Sequence, residues 1–249
     1  MKSLYLVNSF WISLGGLRPL LAGALALLSI PLINIALGWQ WSPADTGFLP
    51  SRFSLWVSES MPVVALALIA WVLFRLKLDR RRSLLLVATM MAALLLGVGV
   101  KTVLKDTWQE PRPYAVWLAA QTHITAQDFY ALPDKSGFIA AQDLSKTSVP
   151  QWEQQYWAKN TGYSFPSGHS LFAVQLVLML LALLWQRKAY ILMLLALCWA
   201  MAILLSRLFL GMHWPVDVLA SSVLAFILNI PFCLFWNKQT PSLLNSPFM

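Results

Sequence analysis

The chain has 249 residues, of which 59% are hydrophobic and 11% are charged, and its formal net charge is +8. So apolar a composition excludes an ordinary soluble domain. The basic residues flank apolar runs and form no patch interleaved with aromatic residues, which argues against a nucleic-acid partner. The composition therefore predicts an integral membrane protein whose basic residues lie at the membrane surface.

Six stretches are apolar over the length, about 20 residues, that a helix needs to cross a bilayer. They are residues 19–39, 61–78, 84–104, 168–185, 189–209 and 216–236. Residues 1–17 are moderately apolar and contain Gly15 and Gly16, so they form either an interfacial helix or a frayed terminus. We predict an all-α fold, a bundle of six transmembrane helices that forms a single domain over residues 1–249.

The basic residues beside these windows indicate the orientation of the bundle. They concentrate between the second and third windows, between the fourth and fifth, and at the chain ends: Arg75, Lys77, Arg80, Arg81, Arg82, Arg187, Lys188, Lys2, Arg18 and Lys238. The connection 40–60 carries a single one, Arg52. Both termini are therefore predicted to be cytoplasmic, and segments 105–167 and 210–215 to lie together on the outer face.

The segment 105–167 is too long to be a simple connection between two helices. It contains six of the ten acidic residues and is mixed in composition. Val149–Lys159 is a candidate for short helical structure, and the aromatic residues of the segment either cap a site or rest on lipid headgroups. We predict that this outer segment carries short helices.

Three polar motifs converge on the outer face. They are "KDTWQEPRP" after the third window, "PSGH" at the start of the fourth, and "SRLFLGMHWPVD" between the fifth and sixth. Each has an ordinary structural interpretation: snorkelling basic side chains, a helix cap, and an interfacial histidine near a helix N-terminus. Together they bring two of the three histidines beside three cations on one side of the membrane, and we interpret them as one site.

The order Lys-x6-Arg-Pro, Pro-Ser-Gly-His and Ser-Arg-x5-His-x3-Asp resembles the signature of the type 2 phosphatidic acid phosphatase superfamily. The resemblance covers most of residues 84–236 and leaves the N-terminal 80 residues to contribute only topology. It implies a lipid phosphatase of a bacterial inner membrane that acts from its periplasmic face, with no cofactor and no obligate protein partner. The implied substrates are phosphatidylglycerophosphate and undecaprenyl diphosphate; the preferred headgroup and lipid chain stay open.

Phosphate esters carry two or more negative charges, and their transfer spreads charge over the equatorial oxygens. Lys105, Arg112 and Arg207 are the predicted phosphate-binding cations, since guanidinium groups suit bidentate contact. Ser167 and Gly168 would add backbone N–H groups at the positive end of a helix. We therefore expect these five residues to bind the substrate phosphate.

The resemblance also assigns the catalytic roles. His213 is the nucleophile that forms a phosphohistidine, and His169 protonates the leaving lipid oxygen before it activates water. Asp217 follows His213 by four residues, so it would orient the imidazole if the sixth helix begins near His213. No metal is predicted, because three cations at the same place would repel a divalent ion.

Two other functions fit the same residues: a lipid phosphotransferase with an acceptor other than water, and a non-enzymatic carrier of anionic lipids. The carrier is less favoured because the polar residues cluster at one face of the bundle. Lys101 competes with Lys105 for the motif position, and the six-residue spacing to Arg112 selects Lys105. His123 is predicted to be a surface residue. Glu110 either weakens the positive electrostatic potential of the site or forms an ion pair with a neighbour.

Overall fold

The computed structural model describes residues 2–43, 48–185 and 187–244. Within these ranges the chain forms α-helices and no β-strand. In chain order the helices are α1 (Lys2–Ala36), α2 (Phe48–Glu59), α3 (Met61–Leu76), α4 (Arg80–Trp108), α5 (Pro113–Gln121), α6 (Ala126–Ala131), α7 (Lys135–Ala140), α8 (Gln151–Ala158), α9 (Gly168–Trp185), α10 (Tyr190–Phe209) and α11 (Pro215–Leu244). The all-α prediction is confirmed for the described residues.

Five helices are long and apolar enough to cross a membrane, and they lie in α1, α4, α9, α10 and α11. The corresponding predicted windows lie largely within these spans, although the span that contains α4 continues to Gln121. α9 and α10 match their windows to within one residue at each end. Before the first span the backbone of α1 is already helical from Lys2. The bundle is therefore membrane-embedded.

The second predicted window differs most from the structure. α3 has 16 residues and ends at Leu76, before Lys77 with a φ of 48°. Such a helix rises about 24 Å, less than the ~30 Å hydrocarbon core. α2 precedes it at an angle of 51°, and only the two together make a sixth candidate span. The window analysis missed α2 because "FLPSRFSLWVSE" mixes apolar and polar residues.

The helix α9 lies at the centre of the bundle. Its sequence is apolar on all sides, as is typical of a helix buried by its neighbours. It packs against α1, α4, α10 and α11, and 78% of its window is buried inside the protein. The "PSGH" motif at its N-terminus is thereby placed in the middle of the bundle end.

The short helices α5 to α8 cover this end with a second hydrophobic cluster. Its centre is Trp157, which stacks on Tyr114 at a ring distance of 5.0 Å and meets the edge of Trp41 at 5.7 Å. Leu210 and Met212 join the cluster from the turn before α11. The predicted short helix at 149–159 is confirmed as α8. The aromatic cluster packs against the turn that carries His213.

Candidate functional site

The side chains predicted to form the site meet at one end of the bundle. They are Lys105 at the end of α4, Arg112 before α5, Ser167, Gly168 and His169 at the start of α9, Arg207 at the end of α10, and His213 and Asp217 around the start of α11. Both histidines have Coulombic interactions with the three motif cations. The structure therefore brings the three sequence motifs together.

Residues 162–164 lie shortly before the second motif, and their backbone carbonyls bind the two cations of the first motif. Arg112 Nε donates to the Gly162 carbonyl at 2.6 Å, and Lys105 Nζ donates to the Tyr163 carbonyl at 2.5 Å. Carbonyl oxygens are neutral acceptors. They fix the position of both cations without cancelling their charge.

Arg207 is held from two other directions. It is 1% exposed, and its Nη1 donates to Ser58 Oγ at 2.5 Å and to Tyr156 Oη at 2.9 Å. Its buried Nε has no hydrogen-bond partner among the described residues. Ser58 belongs to α2, so the prediction that the N-terminal 80 residues contribute only topology is wrong. They supply a direct contact to a cation of the site.

In the described part of the chain, no carboxylate lies within ion-pair distance of Lys105, Arg112 or Arg207. Arg112 and Arg207 are also buried. Charges withdrawn from water interact strongly with an ion of opposite sign, because the surrounding medium screens them poorly. The site therefore favours an anion and disfavours a divalent metal ion.

The turn between α10 and α11 is built around Gly211. Its φ of 64° lies in the left-handed region, and the Trp41 ring lies 2.6 Å from the place that a Cβ would occupy. Met212 and His213 both donate their N–H to the Arg207 carbonyl, at 3.1 and 3.2 Å. These contacts fix His213 next to Arg207.

His213 and Asp217 are close, but their contact is largely indirect. α11 begins at Pro215, and His213 Nδ1 lies 3.6 Å from Asp217 Oδ2, which is longer than a hydrogen bond. Ser164 Oγ bridges the two: it is 3.3 Å from His213 Nδ1 and donates to Asp217 Oδ2. The same carboxylate oxygen accepts the Trp214 N–H at 2.8 Å. Asp217 therefore also caps the start of α11.

The imidazole of His213 is neutral at neutral pH. Burial lowers its pKa well below the usual range, and the charges of Arg112 and Arg207 lower it further. Because Ser164 gives its one hydroxyl hydrogen to Asp217, we assign the imidazole hydrogen to Nδ1, which can donate to Ser164 Oγ. This assignment leaves the lone pair on Nε2.

The start of α9 supplies neutral donors and one wall of a cavity. Ser167 is buried, and its Oγ lies 2.8 Å from Ser170 Oγ. Amide groups in the first turn of a helix, such as that of Gly168, have no acceptor within the helix. His169 lines a cavity of about 240 Å³ together with Lys101, whose Cδ lies 3.0 Å from the position of a Cβ on Gly168. Lys101 thus belongs to the site region although the motif spacing did not select it.

A larger cavity of about 460 Å³ adjoins Asp217 on another side. Most of its lining is aromatic or apolar, including Trp39, Trp108, Phe165, Trp214 and Val216. Glu110 also lines it, and its carbonyl accepts the Ser164 N–H at 2.7 Å. The site therefore lies between two openings, one beside His169 and one beside Asp217.

Motif reasoning missed two residues that contact the site, Ser58 and Ser164. Lys101 competes with Lys105 for the motif position, and Tyr156 is one of the aromatic residues of segment 105–167 that are predicted either to cap a site or to rest on lipid headgroups. Of Ser58 and Ser164, only Ser164 had a positional signal, because it stands two residues before "PSGH". Ser58 is 149 positions away from the arginine that it contacts, so no local pattern could have indicated it. His123 is exposed, which confirms its prediction as a surface residue.

The sequence profile of the PAP2 superfamily matches residues 83–241, a range that contains all three motifs. The chain belongs to the PAP2 superfamily. Within the superfamily it is 34% identical over 213 residues to phosphatidylglycerophosphatase B of Escherichia coli (strain K12), which covers 83% of this chain and 84% of that protein.

Other relatives give the same picture. The Shigella flexneri protein of that name is also 34% identical over 213 residues, with the same coverage. The Haemophilus influenzae phosphatidylglycerophosphatase B is 32% identical over 228 residues, which cover 86% of this chain and 94% of that protein. Ser58 contacts Arg207 and Trp41 packs against the turn at Gly211, and both residues precede the matched range.

Proposed function

We propose that this protein is a membrane lipid phosphatase that releases phosphate from an anionic headgroup. The observation that carries the proposal is the set of three motif cations held by carbonyl and hydroxyl oxygens, with no carboxylate partner among the described residues, beside a neutral His213. A phosphate ester supplies the negative charge that this set lacks. Similarity to phosphatidylglycerophosphatase B supports the same class of reaction.

We propose phosphatidylglycerophosphate and undecaprenyl diphosphate as substrates, with phosphatidylglycerol and undecaprenyl phosphate as products. The name of the relatives supports the first. The second suits a pocket of three cations, which can also meet the larger charge of a diphosphate. The apolar walls of the two cavities beside the site suit the lipid chains of either substrate.

In the proposed first step, the Nε2 lone pair of His213 attacks phosphorus and the bond from phosphorus to the lipid oxygen breaks. His169, which takes up a proton when the bound phosphate offsets the charge of the three cations, gives that proton to the lipid oxygen, so the lipid leaves neutral at this position. Lys105, Arg112 and Arg207 hold the oxygens that carry charge in the transition state, and the amides at Ser167 and Gly168 add neutral donors.

The second step regenerates the protein. His169, now neutral, takes a proton from a water molecule whose oxygen attacks phosphorus, and the bond from phosphorus to His213 Nε2 breaks. Inorganic phosphate leaves with the water oxygen. Asp217 keeps the imidazole in the reactive tautomer, and it does so mainly through Ser164. No metal or cofactor takes part in this scheme.

We also propose that the site faces the periplasm of a bacterial inner membrane and that both termini are cytoplasmic. The exposed basic residues between α3 and α4 and the site lie at opposite ends of α4, which supports this orientation. A membrane-impermeant maleimide added to intact spheroplasts should label Ser148→Cys and spare Lys77→Cys. Labelling of Lys77→Cys alone would show that the protein has the opposite orientation.

The reaction is tested by measuring phosphate release from purified protein in detergent with excess chelator. Phosphatidylglycerophosphate, undecaprenyl diphosphate and phosphatidate are compared as substrates. We expect release to survive the chelator and to disappear in His213→Ala. His123→Ala is the matched control, because it removes an exposed histidine outside the motifs and should keep wild-type turnover.

Other outcomes separate the alternatives. An acid-labile phosphoryl group trapped on wild-type protein but not on His213→Ala would support the phosphohistidine. Transfer of labelled phosphate to an added lipid acceptor in place of water would identify a phosphotransferase. Normal turnover by His213→Ala would contradict the mechanism, and a complete lack of hydrolysis would contradict the phosphatase.

A further inference from the structure

One edge of the Arg207 guanidinium is held by two hydroxyl groups that lie outside the three motifs. We propose that Ser58 and Tyr156 are positioning residues that orient Arg207 so that its Nε edge faces the substrate phosphate. The inference rests on the proposed function, because it assigns a role in the same site. Neither residue touches the reacting atoms in this proposal; both act through Arg207.

The geometry of the guanidinium separates its two edges. Arg207 Nη1 donates to both hydroxyl oxygens, Ser58 Oγ at 2.5 Å and Tyr156 Oη at 2.9 Å, and those oxygens lie 3.4 Å from each other. The Nε–H of an arginine points to the side of Nη2, away from Nη1. This is the edge that can make two parallel hydrogen bonds to an oxyanion. Nε on that edge is buried and has no partner among the described residues.

The chemistry of the two acceptors suits an anion site. A carboxylate at this place would hold Arg207 equally well but would neutralise it, whereas a serine and a tyrosine hydroxyl leave the charge available. The charge of Arg207 also changes the pKa of the Tyr156 hydroxyl. Burial would raise its pKa, but the charge of Arg207 and the hydrogen bonds with Ser58 and Arg207 outweigh burial and lower it.

The two hydroxyls reach Arg207 from independent parts of the molecule. Ser58 is buried near the end of α2, which packs on α10, and it precedes the range matched to the PAP2 superfamily. Tyr156 lies on α8 within the aromatic cluster. Arg207 has many rotamers when it is unrestrained, so contacts from two sides reduce the entropy that it loses when it binds phosphate. The helices α2 and α8 thereby pre-organise a cation on α10.

The test compares Ser58→Ala, Tyr156→Phe and the double variant with two matched controls. Ser60→Ala removes a hydroxyl at the same helix bend, one that donates to the Val57 carbonyl within its own segment. Tyr114→Phe removes a buried hydroxyl that donates to the Asn160 carbonyl and keeps the ring that stacks on Trp157. Ser58→Thr keeps a hydroxyl at position 58 and serves as the conservative rescue. Each variant is measured for kcat, KM, inhibition by orthovanadate and thermal stability in detergent.

We expect each of Ser58→Ala and Tyr156→Phe to lower kcat/KM about tenfold and to weaken orthovanadate inhibition by a similar factor, since each removes a hydrogen bond to a charged group. The double variant should lose more than either single one. The controls should stay within about twofold of wild type, and Ser58→Thr should recover most of the activity. A purely structural role would lower thermal stability in the variants and controls alike and would leave orthovanadate affinity unchanged.

The outcome separates this inference from the proposed function. If wild type is active but Ser58→Ala and Tyr156→Phe behave like their controls, the positioning role is overturned and the phosphatase stands. If wild type releases no phosphate, the phosphatase fails, and orthovanadate still tests the positioning. In that case orthovanadate should raise the thermal stability of wild type but not of the double variant, and equal stabilisation of both would overturn it.

Discussion

Arg112 and Arg207 are buried at one end of the bundle, whereas Arg80 and Arg81 are exposed where α4 begins at the other end. The buried pair is held by carbonyl and hydroxyl oxygens and by the sulfur of Met212. At the exposed end Arg82 pairs with Asp79 at 3.4 Å. The same residue type therefore occurs in two environments within one chain.

The difference shows how burial changes what a cation can do. An exposed arginine is screened by water and salt, and its ion pair contributes little. A buried arginine has lost its water, so its charge stays strong and must be met by a ligand or a partner. Because the partners at the site are neutral, that charge remains available to an anion.

Among substitutions that compare the two ends of the bundle, the largest effect is expected from removing a buried cation. Arg112→Gln should lower phosphate release by about 10²- to 10³-fold, because the lost charge stabilises the transition state from a buried position where water screens it poorly. Arg81→Gln is the matched control from the exposed end. Both variants are measured in steady-state assays. An equal loss of activity in both would contradict the claim that the buried arginine matters more than the exposed one.

A smaller effect is expected from removing the Ser164 hydroxyl that bridges His213 and Asp217. Ser164→Ala removes the hydroxyl that contacts both, so His213 keeps only the 3.6 Å approach of the carboxylate. We expect kcat to fall about 10- to 100-fold with little change in KM, since the tautomer of the nucleophile matters for reaction more than for binding. Ser148→Ala, on the exposed surface of the same segment, is the control. Unchanged kcat in Ser164→Ala would mean that Asp217 orients His213 directly.

Glu153 is a buried carboxylate at the same end of the bundle as the buried arginines, so burial should affect its charge as well. It is 2% exposed, its Oε1 has no partner among the described residues, and burial raises its pKa to about 7 from 4.5. Between about pH 4.5 and pH 7, therefore, Glu153 is protonated in the folded protein and ionised in the unfolded chain. The stability due to this proton is fully present below about pH 4.5 and is lost as pH rises through about 7, and it corresponds to about 3 kcal/mol.

Glu153→Gln should remove this pH dependence. Thermal denaturation in detergent at pH 5.5 and pH 8 should show that wild type is less stable at the higher pH, and that the variant changes less between the two. At pH 8 the variant should be the more stable protein. An equal loss of stability in both proteins would assign the pH dependence to other groups.

The smallest effect is expected at the exposed end. Replacement of Arg80 and Arg81 by Gln should change kcat/KM by less than about twofold, because screened charges far from the site do not act on the reaction. The assay is repeated at low and high salt, where the wild type and the double variant should show the same salt dependence. A loss comparable with that of Arg112→Gln would remove the distinction between the two ends.

Much of the fold was predictable because the bilayer imposes strict length and polarity limits on a spanning helix. The windows for α9 and α10 were correct for this reason. The failure at residues 48–76 has the same origin, since a span that bends at Ser60 and includes polar residues does not appear as one apolar window. Lys105, Arg112 and Arg207 could be predicted as site residues because their motifs have fixed spacings, whereas Ser58, Tyr156 and Ser164 belong to no motif.

The sequence by itself determined that the protein is a helical membrane protein, which residues are candidates for phosphate binding and which family signature they form. These properties depend on composition and on spacing along the chain, and both can be read without coordinates. Only the tertiary structure decided what holds each cation, that Ser164 stands between His213 and Asp217, and that α2 reaches Arg207. Such contacts join residues about 50 to 150 positions apart, and they exist only once the helices have packed.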